Sequence, residues 1–553
     1  MKPAKYSDLQ PVGQAILPPA AALWGRMESC APVGNRRSPT VLHASAGGLP
    51  TRRRLPTCPT SRWLLLLLTL TAAAADKPIP SWPQYRGPGG SGVAADTDDP
   101  PVEFGPAKHV LWKAEVPSGH SSPSIWGNRI FLTTFDKQTQ LLEVLALDRR
   151  NGKLVWRRSV PAEGLESVHD ISSPATATVA VDGERVYAYF GSYGLVCFDM
   201  DGYRLWSVPL GVAHVIPYGS GTSPVLAGEL VILNRDEGPE PYLLAVDRHT
   251  GKTVWKQKQY MGSAEKRGGS KATPLVWKDE VILHRRNEVV GFDLKTGLRK
   301  WWVTANTQAA GTPTAGPDAI YIGEWFTGGE PDLRVPLPDF DTLLKQYDKN
   351  GDGLLSAAEF PEKIPQNHRA GLDGVAGADG SASGKNTFRA ADKNQDGKID
   401  RAEWDEFLKS SIGPAEEHGL TAIRPGGEGD VTSTRVLWKE SRGVPEVPVP
   451  LYYKGRVYTV TYGGVASCLE AESGKVIFRG RLGALGAYFA SPVAAAGRIY
   501  FASEEGVISV IGAGEKLDIL ARNNLEESIF ATPAIIENMI YVRTVGHMYA
   551  FLK

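Results

Sequence analysis

The chain has little cysteine, no long apolar run and no basic face. Its four cysteines include no adjacent pair, and Cys30 and Cys58 fall within the first 75 residues, so only Cys197 and Cys468 remain in the body. The leucine-rich run Trp63 to Thr71, with Ala72 to Ala75 behind it, is too short for a membrane span, which needs about 20 apolar residues. Formal charge is zero overall, but unlike parts sum to it. Nine of the 61 Lys and Arg and two of the 61 Asp and Glu lie in residues 1–75, leaving 52 basic against 59 acidic groups beyond. An acidic body without clustered Lys and Arg argues against a phosphate-backbone partner, so no nucleic-acid binding is expected.

The leucine-rich run follows Arg52, Arg53, Arg54 and Arg62 and ends in small residues before Asp76. Basic, hydrophobic and small-residue regions in that order make a secretory signal cleaved near Ala75, which sends the mature chain to the periplasm or the cell exterior, with no membrane span. A short uncleaved anchor is the other reading. No cysteine follows the run, which argues against lipid attachment. Residues 1–51 are too long and irregular for the basic region of a leader and read as sequence upstream of the true start.

Repetition fills the body. LLAVDRHTGKTVWKQ, Leu243 to Gln257, is a hairpin in miniature: an alternating strand ends at Asp247, Gly251 supplies the turn, and Trp255 returns on the next strand. The same pattern recurs at Asp148, Gly152 and Trp156, at Asp199, Gly202 and Trp206, at Asp293, Gly297 and Trp301, and at Gly474 and Phe478, with the glycine always four residues before the aromatic. A second marker is a proline followed eight residues later by an aromatic or isoleucine, as in Pro123 to Phe131, Pro224 to Ile232 and Pro533 to Tyr541. Pro174 begins a copy stretched to Tyr187. Together they give eight units of four short strands, A to D, at a period of roughly 40 to 50 residues, which predicts an all-β eight-bladed propeller. The last unit ends after strand C, and His109 to Val116 is a strand D without partners, so an N-terminal strand is expected to close the ring. Cys197 and Cys468 occupy the same strand C position in units that face each other across such a ring, so each reads as a small buried hydrophobe.

The Asp-turn-Gly-Trp repeats, the Ser-Pro starts and the opening WPQYRGPGG resemble the PQQ-like (pyrroloquinoline-quinone-type) β-propeller repeat family. That family includes quinoprotein dehydrogenases and a non-enzymatic lipoprotein scaffold of the outer-membrane Bam assembly complex. The resemblance implies a quinoprotein-dehydrogenase-like propeller, and it is weak for activity, because the repeats build blades and no catalytic site. Dehydrogenases of the family hold the quinone over a tryptophan beside a calcium ion and often carry a Cys-Cys disulfide. This chain has no such cysteine pair, and its tryptophans are taken up by strand D, where each is expected to plug between neighbouring sheets. No quinone site is assignable. Trp82 and Tyr85 in the Gly- and Pro-rich opening are read as anchors against the blades.

One insertion breaks the repeat. After Ala319 to Phe326 strand C is missing, and Gly419 to Pro425 and Thr434 to Trp438 resume as C and D. The expected organisation is an extension plus signal at 1–75 (apolar region 63–75), an irregular segment at 76–108, propeller at 109–326, insertion at 327–417 and propeller at 418–553. Within the insertion, DKNGDGLLSAAE from Asp348 and DKNQDGKIDRAE from Asp392 both fit the twelve-residue EF-hand calcium loop. Calcium takes six to eight hard oxygens on a flexible loop. Asp348, Asn350, Asp352, the Leu354 carbonyl, Ser356 and Glu359 supply them in the first loop, with Gly353 at the sharp turn. Asp392, Asn394, Asp396, the Lys398 carbonyl, Asp400 and Glu403 take the same roles in the second, with Gly397 at its turn. Leu355 and Ile399 are expected to join the loops. Helices are expected over Phe340 to Tyr347, over the residues just before Asp392, and over Arg401 to Ser410, and Gly371 to Gly384 as a floppy connector.

Residues before each Ser-Pro step would line one mouth of the propeller: His120, His169 with Asp170, Tyr218, Lys271, Tyr488 and Glu527. A His-Asp pair has the makings of a general base, but such residues are more often hydrogen-bonded loop caps, and Ser121, Ser172 and Thr222 have no activating context. Two functions stand. One is a secreted calcium-binding propeller, with two calcium sites and no bound quinone, that acts as an interaction or assembly scaffold for a protein or polysaccharide at the mouth. The other is a quinoprotein alcohol or sugar dehydrogenase with a calcium-binding lid.

Overall fold

The computed structural model describes residues 79–169, 171–213, 219–236, 240–259, 270–307, 309–325, 330, 335–367, 380–411 and 418–553. The leader, Asp170, Tyr218 and most of the Gly-rich stretch between the two loops lie outside them. Eight antiparallel sheets follow one another along the chain, each built from strands A to D in order. Blade 1 is typical, with Ser124–Trp126, Arg129–Asp136, Leu141–Asp148 and Leu154–Val160. The apolar residues of its strands B and C are buried because neighbouring sheets cover both faces: Phe131, Val144 and Trp156 pack against Val181, Val186 and Phe198 of blade 2. Blade 8 takes strands A to C from Ala534–Ile536, Met539–Arg543 and His547–Phe551, and strand D from Val110–Glu115, with Trp112 opposite Ala550 and Glu115 opposite His547. The ring is therefore closed by the N-terminal strand. Cys197 and Cys468 are free and buried, and burial pushes the Cys468 thiol up to about 11.

Two kinds of clasp join the blades. The inner one explains the Ser-Pro marker. The residue before each proline donates its amide hydrogen to the hydroxyl of its counterpart in the next blade: Ser122 to Thr178, Thr178 to Ser223, Ser223 to Thr273 and Thr273 to Thr312, all at 3.0–3.1 Å. It resumes from Val449 to Ser491, from Ser491 to Thr532, and from Thr532 back to Ser122. The proline behind it opens the innermost strand, whose edge needs no further amide hydrogen there. The circuit also corrects the second unit. Its marker is Thr178-Val179 rather than Pro174, and Val179 stands eight residues before Tyr187 like every proline of the series. Valine replaces proline without loss because only the hydroxyl and the preceding amide take part.

The outer clasp explains the Gly-to-Trp spacing. Each indole lies on the glycine of the next blade's C-D turn and donates to a carbonyl beside it. Trp112 bonds Arg149, Trp156 bonds Met200, Trp206 bonds Arg248, Trp255 bonds Leu294 and Trp438 bonds Ala471, at 2.8–3.1 Å. A Cβ on Gly152, Gly202, Gly251, Gly297 or Gly474 would stand 2.5–2.8 Å from the ring, and each glycine also has φ between +70° and +83°. Side-chain bulk and backbone conformation both demand glycine. The aspartate holds the turn: Asp247 Oδ1 accepts from the amides of His249 and Thr250 and from the Thr250 hydroxyl.

Trp301 departs from the expectation that every strand D tryptophan plugs the next blade. It lies fully buried on Gly291 of its own blade and donates to Glu280. The reason is the interrupted fifth blade, which has no Asp-Gly turn to offer. Its strands are Thr314–Ala315, Ile320–Trp325, Gly419–Ile423 and Val436–Glu440, and residues 424–435 make a long C-D crossing. That crossing lays Gly429–Asp430 parallel to Trp301 and Trp302 and then forms the short helix Thr432–Arg435, so Thr434 and Arg435 are helical rather than the start of strand D.

The WPQYRGPGG segment crosses the central channel. Ser81–Trp82 pairs with Ile125 and Trp126 of blade 1, and Pro83 accepts from the Val181 amide of blade 2. The Gln84 carboxamide accepts from Leu226, Arg86 donates to Thr314 and to the Pro450 carbonyl, Tyr85 bonds Ser491, and Gly92 and Ala94 bracket Ala494. Trp82 and Arg86 are buried, so the segment is packed structure.

The blade 7 to blade 8 junction has no tryptophan clasp and relies on Thr532. Thr532→Val keeps the shape but strands the buried Ser491 amide. The expected cost is about 1–3 kcal/mol, read as a lower urea midpoint with an unchanged slope. An unaltered midpoint would show that the hydroxyl circuit contributes nothing.

Candidate functional site

The insertion leaves from the end of strand B of blade 5 and returns into strand C, where Glu324 pairs with Gly419. Both ends therefore stand on the face that carries the D-A loops. Just past strand B, Glu330 accepts from the amides of Gly443 and Val444, which tethers the departing chain, and burial pushes its carboxyl up. Three helices follow: α1, Phe340–Tyr347; α2, Gly384–Ala391; and α3, Arg401–Ser411. Asp339 caps α1 by accepting from the Thr342 amide. Phe360, Phe388 and Trp404 meet edge to face at 5.5–5.8 Å and bury a core with Phe340, Leu343, Leu355 and Ile399. Trp404 donates to the Pro338 carbonyl, and Arg401 bonds Asp341, tying α3 to α1.

The first loop has no exiting helix. Pro361 and Pro365 follow its last ligand position, and without their amide hydrogens a helix cannot run on. Lys363–Asn367 forms a strand instead and pairs with Gly380–Ser383. The segment expected as a floppy connector is thus ordered over 380–383, and Gly384 already belongs to α2. Sequence reasoning missed Gly384. Its amide donates to Glu362, and a Cβ there would fall 1.7 Å from the Pro361 carbonyl oxygen.

The two loops have matching hydrogen bonds. Gly351, Gly353 and Gly397 have positive φ, as does Gln395, which stands where the first loop has glycine. Asp348 accepts from Gly351 and Gly353, and Asp392 accepts from Gly397. Asn350 and Asp352 accept from the amides two residues on, and Asn394 and Asp396 do the same. Glu359 folds back over its loop to the amides of Lys349, Asn350 and Ser356 and the Ser356 hydroxyl, and is held below the usual carboxyl range. Glu403 reaches Lys393, Asn394 and Asp400 in the same way. Leu355 pairs with Ile399 and Ser356 with Lys398, which sets the loops side by side.

All twelve candidate ligand positions thus fall on these two turns. Among the described residues no three His, Cys, Asp or Glu side chains converge as a ready-made cluster, because the acidic groups bond the loops' own amides and alternate with Asn, Ser and carbonyl donors. One oxygen is different. Asp392 Oδ1 is buried without a hydrogen-bond partner. A buried carboxylate oxygen with nothing to accept from costs free energy, and a hard cation removes that cost. The donor set is all oxygen, which suits calcium.

The described residues expected at the mouth sit in separate contacts. The His120 ring stacks on Phe530 at 4.3 Å, and burial, with the Arg543 charge nearby, lowers its pKa to about 4, so it is neutral. His169 is exposed and accepts from the Ile171 amide, Lys271 is half-buried, and Asp170 and Tyr218 lie outside the described residues. Tyr488 is fully buried rather than lining the mouth, and burial pushes its phenol up to about 12. Glu527 accepts from Thr544, Gly546 and His547. Ser121 is tied to Arg543 and Thr133, and Thr222 to Ala272. What the sequence did not announce is a row of half-buried rings across blades 6 to 1: Tyr462 against Phe489, Phe489 on Phe530 and Phe530 on His120, at 4.3–5.5 Å.

Residues 142–315 and 427–518 match the sequence model of the family described as outer membrane protein assembly factor BamB, and residues 340–361 and 385–408 match that of the EF hand. No curated protein sequence matches the chain. Similar solved structures include BamB from Moraxella catarrhalis (12% identity, 80% of this chain and 98% of that one, TM-score 0.43). The quinohemoprotein alcohol dehydrogenase from Comamonas testosteroni is another (11% identity, 85% and 80%, TM-score 0.47).

Gly384→Ala forces a methyl group against the Pro361 carbonyl. It should destabilise the insertion by roughly 1–3 kcal/mol or more, seen as a loss of the near-ultraviolet signal of Trp404 and early proteolysis between 340 and 411. Resistance equal to the parent's would overturn this account of the hairpin.

Proposed function

We propose that this chain, a propeller of the PQQ-like repeat type with an EF-hand pair set into its fifth blade, is a secreted calcium-binding scaffold that docks a protein partner at the mouth. The observation that carries the calcium reading is the unpartnered, buried Asp392 Oδ1, in a loop whose Asp396 and Glu403 oxygens already accept from groups of the loop itself. Asp348, Asn350, Asp352, the Leu354 carbonyl, Ser356 and Glu359 would hold one ion. Asp392, Asn394, Asp396, the Lys398 carbonyl, Asp400 and Glu403 would hold the other. Calcium would cross-link α1, α2 and α3 through their loops and neutralise the carboxylates gathered there. The row from Tyr462 to His120 supports a protein partner, since half-buried rings offer contact area at little cost in side-chain entropy. The leader supports delivery to the periplasm or beyond, where sites of 10⁻⁴ to 10⁻³ M affinity are of use.

The test is calorimetry on residues 76–553. Two calcium ions are expected to bind, with no saturable binding of pyrroloquinoline quinone in the presence of calcium. Glu359→Gln with Glu403→Gln removes the last ligand of each loop and should abolish calcium uptake while leaving the propeller's thermal transition in place. Hydrogen exchange with and without calcium then reads the mouth. Protection that spreads from 338–410 to the D-A loops around His120 and Phe530 supports calcium control of docking, and protection confined to the insertion refutes it. Micromolar quinone binding with alcohol or glucose turnover would overturn the scaffold in favour of a dehydrogenase.

A further inference from the structure

One contact crosses from the second loop to the first. Lys398 Nζ donates to Asp352 Oδ2 at 2.8 Å. Lys398 is position seven of loop two, where its carbonyl is a candidate ligand, and Asp352 is position five of loop one. The antiparallel pairing of Ser356 with Lys398 sets the backbone of one loop beside the other and lets the side chain cross. Asp352 thereby has both oxygens engaged, Oδ1 by the Leu354 amide and Oδ2 by the ammonium. Its counterpart in loop two, Asp396, receives only neutral donors, the Lys398 amide and the Asn394 side chain. Loop one therefore presents Asp348, Asp352 and Glu359 with a fixed positive charge among them. Loop two presents Asp392, Asp396, Asp400 and Glu403, with the unpartnered Asp392 oxygen besides.

We infer that Lys398 is a tethered cation that calcium has to displace from loop one, and that it makes loop one the weaker and later-filled site. The inference rests on the calcium reading above. A divalent ion held by Asp352 and an ammonium bonded to the same carboxylate repel each other, so loading loop one requires the lysine to swing into solvent. The pair is part-exposed, at 44% and 33% for the two side chains, so screening keeps the effect modest. Loss of the pair and of the repulsion together amount to roughly threefold to tenfold in affinity. Lys398 also couples the sites. An ion in loop two fixes its carbonyl, and hence the root of the side chain that loop one has to shed.

The experiment isolates each loop in the chain of residues 76–553. With Glu403→Gln only loop one is competent, and with Glu359→Gln only loop two. Calorimetric titration with calcium chloride should show Lys398→Met tightening loop one by about threefold to tenfold, and by more than it changes loop two. Lys398→Gln serves as a second neutral variant, and the near-ultraviolet signal of Trp404 reports that each variant keeps its fold. Lys398→Arg retains a cation and should leave loop one as in the parent. If both neutral variants keep their fold and leave loop one unchanged or weaker, the lysine is a bystander and the inference falls while the calcium reading stands. If neither single-loop protein takes up calcium at any concentration up to 10⁻² M, the calcium reading itself has failed, and this inference with it.

Discussion

A hydroxyl that accepts an amide hydrogen from the blade before it is the contact on which this ring depends. It lies at the crowded inner end of the sheets, where no water competes, and it fixes the angle at which one sheet follows the next. The indole on its glycine does the same work at the periphery. Neither circuit is complete. The hydroxyl is missing at Val449, where blade 6 follows blade 5, and there Trp438 lies on Gly474. The tryptophan clasp fails between blades 4 and 5, where Trp301 turns home, and there Thr273 bonds Thr312. Every junction keeps at least one clasp. This redundancy explains how blade 5 tolerates a domain between two of its strands: the inner clasp of Thr273 with Thr312 holds it to blade 4, and the Trp438 indole holds it to blade 6.

Much of this was legible because both sequence markers are contact residues. The aromatic eight residues after the proline and the tryptophan of strand D meet inside a blade, Phe131 with Trp156, Tyr187 with Trp206 and Tyr321 with Trp438, each near 5.9 Å. A repeat written in contact residues fixes spacing, and spacing fixes strand order. Reading failed where a residue type stood in for a role. Proline marks the start of a unit only by proxy: the role belongs to the hydroxyl before it, so the pattern points to Pro174 where the circuit runs through Thr178. The fate of Trp301 depends on a turn that the following blade lacks, and no local pattern encodes that.

In the insertion the candidate ligand positions stand out because an EF-hand loop is local: every donor position lies within twelve residues and glycine marks the turn. The contacts between loops could not. Lys398 looks like an ordinary exposed lysine until strand pairing sets it against Asp352, and Gly384 looks like linker until the hairpin brings it onto Pro361. The aromatic row was only partly marked: His120, Phe489 and Phe530 each stand three residues before a marker proline, but residue type varies there and Tyr462 lies off that spacing. Local chemistry is written in sequence, and chemistry assembled by topology appears only once the topology is drawn.

The closing strand has a consequence for the making of the protein. His109 and Leu552, neighbours at the seam, are 443 residues apart in the chain. At a synthesis rate of about 5–20 residues per second, Val110–Glu115 waits roughly 20 to 90 s for the sheet edge it completes, and the channel segment just before it waits as long for blades to surround it. The first structured piece to be made is the last to be fitted. The ring cannot close until the His547–Phe551 strand has been made.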